Sequence, residues 1–124
     1  MSDADSVAAV TEIVGHEIEV LTLAQVAERL DLPRTRISQL IKQGQLLGVR
    51  QGDRWIVPAE FIADEVVVKG LPGTVQVLRD GGYADDEILR WLFADDGSLP
   101  GTPIGALRAD RGREVKRRAQ AMAF

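Results

Sequence analysis

Residues 21–58 read LTLAQVAERLDLPRTRISQLIKQGQLLGVRQGDRWIVP. Thr22 stands three residues before Gln25. This is the spacing of a capping box, in which each side chain answers the other residue's unpaired backbone N–H, and Leu21 and Val26 are placed as a hydrophobic staple. Leu23, Val26, Ala27 and Leu30 then recur at helical spacing. Asp31-Leu32-Pro33 breaks that helix, and Pro33, which has no N–H to leave unpaired, suits the first turn of a second one. In the second helix Ile37, Leu40 and Ile41 share a face, and Gly44 is placed to end it in the left-handed conformation. Residues 46–50 and 54–58 are strand-like on either side of Gln51-Gly52-Asp53, a hairpin turn. Helix, short turn, helix and hairpin in direct succession predict a winged helix-turn-helix.

Outward from this stretch, a short strand over 17–21 and the closing residues Pro58 and Ala59–Ile62 complete a unit spanning 17–62. Residues 1–16 are small and acidic and read as a flexible N-terminal tail. A joint at 63–70 opens a C-terminal helical region, 63–124, expected to pack on the first unit. One helix there runs over Pro72–Asp80, with Leu71, Val75 and Leu78 inward, and Gly81-Gly82 stops it. Asp85, Asp86 and Glu87 crowd the first turn of the next, where acids favour the positive end of the helix dipole, and it runs through Phe93. Two glycines and two prolines mark 94–103 as a loop. The last helix starts near Ile104, or at Gly112, and carries a Val115, Ala119, Met122 stripe. The expected fold class is mainly α with a small β-hairpin: a winged helix-turn-helix plus a C-terminal helical extension.

The 124 residues, 45% hydrophobic and 27% charged, suit one domain or one small domain with an appendage. Cysteine is absent, which excludes disulfides, thiolate catalysis and cysteine zinc sites. A single histidine, His16, excludes a histidine-rich metal site and has no framed nucleophile beside it. Asp85-Asp86-Glu87 are consecutive on a helix and do not converge on one ion. Asp95-Asp96-Gly97 lacks the alternating ligands and closing Glu of a calcium loop. No catalytic residue, metal or cofactor is therefore expected. The apolar runs are too short for a membrane span, and the acidic start is unlike a signal peptide, so the expected compartment is the cytoplasm.

Charge alternates in blocks: net −5 over residues 1–20, +3 over 21–58, −6 over 59–98 and +4 over 99–124. In the second helix, placing Ile37 at the centre of the buried face puts Thr35, Gln39 and Lys42 opposite it, with Arg36 beside them and Arg34 at the N-terminal end. No acid lies between Arg34 and Gly44. Arg and Lys meet phosphates and guanine edges, and Gln meets adenine, so this face points to duplex DNA. In the hairpin a three-residue loop sets Arg50 opposite Arg54 on one face. Like charges directly opposite repel, and an anion between them explains the pair. A two-residue Gly52-Asp53 turn sends the two arginines to opposite faces. Trp55, with Val49 and Val57, reads as packing on the helices. Arg113, Lys116 and Arg117 lie off the last apolar stripe. They serve either as a second set of phosphate contacts or as partners for the acids of the 80s and 90s.

Three further runs carry a resemblance: Val68-Lys69-Gly70-Leu71-Pro72-Gly73-Thr74, Leu78-Arg79-Asp80-Gly81-Gly82-Tyr83, and Glu87 through Phe93. With the ending Arg113 to Phe124, they resemble an actinobacterial family of winged-helix DNA-binding proteins whose mycobacterial member is a substrate of the Ser/Thr protein kinase PknL. The likeness covers about residues 20–124. It implies a cytoplasmic, nucleoid-associated, non-enzymatic protein that binds duplex DNA as a transcriptional regulator or nucleoid-associated factor, with a Ser/Thr kinase as a second partner. Ser2, Ser6 and Thr11 are the hydroxyls in the N-terminal segment. The head alone is also similar to excisionase and MerR-type heads, which leaves an excisionase-like architectural factor as a competing reading. A third is a protein-interaction adaptor with a vestigial head, for which Trp91 and Phe93 would be exposed.

Overall fold

In a computed structural model, residues 10–97 and 101–123 are described. The capping box forms as the sequence requires: the Gln25 N–H donates to Thr22 Oγ1 (3.2 Å) and the Thr22 N–H to Gln25 Oε1 (2.8 Å). Helix α2 spans Leu23–Leu30 and helix α3 Arg34–Lys42. Pro33 is the N-cap of α3, one position earlier than expected, with extended backbone (ψ 150°). Ile37, Leu40 and Ile41 are buried. The helix ends as a Schellman motif, with the Gly44 N–H bonded to the Ile41 carbonyl, the Gln45 N–H to the Leu40 carbonyl, and Gly44 at φ +75°.

Strand β1 (Val20–Thr22) joins β2 (Val49–Gln51) and β3 (Arg54–Pro58) in an antiparallel sheet of order β1-β3-β2. The wing is thus the outer hairpin of a three-stranded sheet, anchored by the pairs Leu21↔Val57 and Thr22↔Ile56. The first wing strand is shorter than expected: Leu46 and Leu47 precede it and are fully buried instead. Helix-turn-helix and wing together give the winged-helix architecture, followed by a helical extension.

Four expectations need correction. The flexible tail over 1–16 does not hold for 10–14, which form a helix, α1, with Val10 and Val14 in the core; residues 1–9 lie outside the described residues. The joint at 63–70 contains a second hairpin, β4 (Ile62–Ala63) and β5 (Val66–Val67), turned by Asp64 at φ +57°. The expected helix through Phe93 ends at Leu92, with Phe93 as its C-cap. The last helix, α7 (Gly112–Ala123), takes the later of the two expected starts, and a separate helix not expected, α6 (Pro103–Arg108), precedes it, parted from it where Asp110 takes φ +63°.

Helices α4 (Leu71–Asp80) and α5 (Asp85–Leu92) fill the middle of the extension. Glu87 Oε1 accepts the Ala84 N–H (2.9 Å), capping α5. The extension shares its core with the head. Phe61, fully buried, meets Phe93 with ring centroids 5.6 Å apart. Arg108 donates to the carbonyls of Glu60 (2.8 Å) and Ile62 (3.1 Å), and Arg90 to that of Ile13 (3.1 Å). Arg79, held by Asp85 through two hydrogen bonds (2.8 and 2.7 Å), lies against Gly44: a Cβ built there would sit 2.7 Å from its Nη1. The end of α3 is therefore seated on α4.

Helix α7 packs along α4, and the two run parallel. At one end a Cβ on Gly70 would lie 3.7 Å from Gly112 Cα; at the other, a Cβ on Gly81 would lie 2.6 Å from Ala123 Cβ. The Tyr83 hydroxyl donates to the Met122 carbonyl (3.0 Å) and fixes that second end.

Candidate nucleic-acid interface

The amphipathicity of α3 decides which side chains face water. With Ile37, Leu40 and Ile41 inward, Arg34, Thr35, Arg36, Gln39 and Lys42 are all exposed, and Ser38 is half-buried. The helix begins without a side-chain cap and without an acid in its first turn. The positive end of its dipole, with the N–H groups of its first residues, is thus left for an external anion. The face is not a set of independent side chains: Arg36 Nη1 donates to Gln39 Oε1 at 3.2 Å. A bidentate Gln–adenine contact uses both the oxygen and the nitrogen of the amide. Here one of the oxygen's two lone pairs accepts from Arg36, so Gln39 steadies the Arg36 guanidinium.

In the wing, the structure selects one of the two registers left open by the sequence. Gln51 pairs with Arg54 and Arg50 with Trp55, so the turn is the two-residue Gly52-Asp53. Of these two only Gly52 has positive φ (+60°), the pattern of a type II′ hairpin. Arg50 and Arg54 therefore lie on opposite faces, and the repulsion argument for an anion between them does not apply. Their placement differs too. Arg54 is half-buried, whereas Arg50 is exposed. The Arg50 Nε donates to the Gly52 carbonyl (3.1 Å), and its guanidinium carbon lies 5.8 Å from the Trp55 ring centroid. Such a cation–π contact contributes about 0.5–1 kcal/mol at an exposed site. Trp55 is half-buried against the core, as expected, but its second role as the platform for Arg50 depends on a register the sequence left open.

The third group, Arg113, Lys116 and Arg117, is exposed on α7. Among the described residues none of the three makes an ion pair; the ion pairs there are Arg79–Asp85 and Arg111–Glu114. Parallel packing is the reason. It sets the first half of α7 beside the start of α4, and only the end of α7 near Gly81 and the acids that follow. Asp85 is held by Arg79, while Asp86 and Glu87 cap α5. No metal-binding group of His, Asp or Glu occurs among the described residues, and no helix there is long and apolar enough to cross a membrane. Phe93 is buried and Trp91 half-buried, so the aromatic exposure required by the adaptor reading is absent.

Comparison with known proteins places both halves. Residues 6–62 match the family model for the wHTH domain of the DNA-binding protein Rv2175c, and residues 68–123 the model for the Rv2175c C-terminal domain of unknown function. The chain is 39% identical over 132 residues to the DNA-binding protein Rv2175c of Mycobacterium tuberculosis (strain ATCC 25618 / H37Rv), a match covering 96% of this chain and 90% of that protein. The NMR structure of Rv2175c is similar with a TM-score of 0.78 at 40% identity, covering 86% of this chain and 82% of that one.

Proposed function

The chain belongs to the family of the DNA-binding protein Rv2175c, and from that premise we propose that it binds duplex DNA through its winged head. In this reading α3 enters the major groove and the wing lies on the flanking backbone. The observation that carries it is the solvent face of α3: Arg34, Arg36 and Lys42 exposed with Thr35 and Gln39, and no acid among them. Arg34 and Lys42 meet phosphates. Arg36, steadied by Gln39, reads a guanine edge. Arg50 grips the backbone from the wing tip, and Arg54, half-buried on the other face, contributes less.

The protein acts as a transcriptional regulator or nucleoid-associated factor in the cytoplasm, by binding and without catalysis. A Ser/Thr kinase sets its affinity. Phosphorylation of Ser2, Ser6 or Thr11 adds about 1.5–2 negative charges to the first twenty residues, which already carry five acids, and opposes the phosphate backbone.

The test is a fluorescence-anisotropy titration of labelled duplex at several salt concentrations. Each lost phosphate contact lowers the slope of log K against log salt by about 0.9. Arg50→Ala is expected to do so on every sequence. Arg36→Ala is expected to weaken preference at one base pair, by about 1–3 kcal/mol on a preferred site, and Gln39→Ala to do so by less. No binding at low salt by folded protein, or an Arg36→Ala/Lys42→Ala variant that binds like wild type, refutes the reading.

A further inference from the structure

We infer that the cationic face of α7, together with Lys69, is a second surface for the phosphate backbone of duplex DNA, contributed by the C-terminal half; the inference rests on the DNA-binding reading of the head. Val115 and Ala119 are fully buried; Arg113, Lys116 and Arg117 are exposed away from them, and Arg118 is exposed at the edge of the buried stripe. The one acid of the helix, Glu114, is taken by Arg111 at 2.6 Å. The other four cations have no ion partner among the described residues. Parallel packing brings Arg113 and Lys116 to the end of α4 where Lys69 lies. There Lys69, Arg111, Arg113 and Lys116, with the acids Asp110 and Glu114, line a cleft of about 590 Å³ in which the cations outnumber the acids.

Like charges this close on a helix destabilise it by about 0.2–0.5 kcal/mol per pair, so the arrangement does nothing for the fold. Nor is it a by-product of a basic chain, since the whole carries −4. Protein partners are bound through a desolvated core of aromatic and aliphatic side chains. The exposed face of α7 offers Arg113, Lys116, Arg117 and Gln120 and no large apolar residue. Charge without apolar anchors fits a polyanion, and the duplex already assigned to the head is one.

The experiment compares the full chain with Arg113→Gln/Lys116→Gln/Arg117→Gln, three exposed sites, after a melt confirms the fold. Two measurements are made: the salt slope on a short labelled duplex, and the capture of that duplex by protein loaded on bead-bound DNA. If α7 touches the same duplex as the head, the variant's slope falls by about 2.7. Raising salt from 50 to 200 mM then weakens wild type about forty-fold more than the variant. If α7 holds a second duplex, the slope stands and capture is lost; either result supports the surface. Unchanged slope, with capture unchanged or absent already in wild type, overturns it. So does an unchanged slope and capture accompanied by altered sedimentation, which gives the face to another copy of the chain. In both cases an Arg36→Ala/Lys42→Ala variant that loses binding leaves the head reading standing. A wild-type protein that binds no duplex refutes both.

Discussion

Gly44→Ala separates two costs that meet at the end of α3. The first is conformational. Gly44 sits at φ +75°, and a residue with a Cβ in the left-handed region costs about 1–2 kcal/mol. The second is steric, because the new Cβ would lie 2.7 Å from Arg79 Nη1. The guanidinium, the far end of a flexible side chain, must shift, which strains or at most breaks its paired contact with Asp85. That pair is partly exposed, with side chains 26% and 46% accessible, so its loss is worth at most about 1 kcal/mol. The expected total is about 2 kcal/mol. Gly82→Ala supplies the control. It holds the same Schellman position after α4, at φ +91°, with nothing within 4 Å of a Cβ, and should cost only the first part, about 1–2 kcal/mol. Urea unfolding of Gly44→Ala, Gly82→Ala, Arg79→Ala and Gly44→Ala/Arg79→Ala reads both terms as midpoint shifts at constant m. In the Arg79→Ala background the cost at Gly44 should fall to that at Gly82. If Gly44→Ala costs no more than Gly82→Ala, or if removing Arg79 leaves the difference intact, then α3 does not rest on the C-terminal half in this way.

Two further substitutions test the junction between the halves. Arg108→Ala leaves two carbonyls of the Glu60–Ile62 segment without their donor and should lower stability by about 1–2 kcal/mol in the same urea assay, with Arg108→Lys recovering only part. Phe61→Ala opens a cavity beside Phe93 and should cost about 3–5 kcal/mol; one transition for both halves, seen alike by circular dichroism and tryptophan fluorescence, is the expected outcome, and two separate transitions would contradict a shared core.

The helix-turn-helix was legible because it is written in local signals: a capping box at Thr22 and Gln25, a proline, an apolar face at Ile37, Leu40 and Ile41, and a glycine at the end. Two of the features that were not legible share one cause. Asp31, Asp64 and Asp110 are the non-glycine residues with positive φ among those described. Asp31 was read as a break through its neighbour Pro33. Asp64, followed by Glu65, gives no turn signal for the β4–β5 hairpin; Asp110 gives no stop, so the letters leave the start of the last helix open between Ile104 and Gly112 and do not show α6 as a separate helix. Aspartate tolerates the left-handed region but occurs elsewhere far more often, so a reading that looks for glycine passes over it. Helix α1 was hidden differently. Val7, Val10, Ile13 and Val14 recur at helical spacing, but they stand in a start whose small and acidic composition reads as a tail. The wing register needed the structure, since two- and three-residue turns satisfy the same letters, and the unpaired state of Arg113, Lys116 and Arg117 followed from the parallel course of two helices that no local pattern records.

The tethering of the basic side chains has a consequence for the entropy of association. An arginine free in water samples many rotamers, and fixing one at an interface costs about 0.5–1.5 kcal/mol. Arg50 is already narrowed to few rotamers by the Gly52 carbonyl and the Trp55 ring, and Arg36 by Gln39. Much of that ordering is therefore complete before any ligand arrives, provided the bound geometry keeps these tethers. Lys42 has no such tether among the described residues and bears the full cost. Two cations of similar exposure on the same helix thus enter an encounter on unequal terms, the guanidinium already aimed and the ammonium still searching.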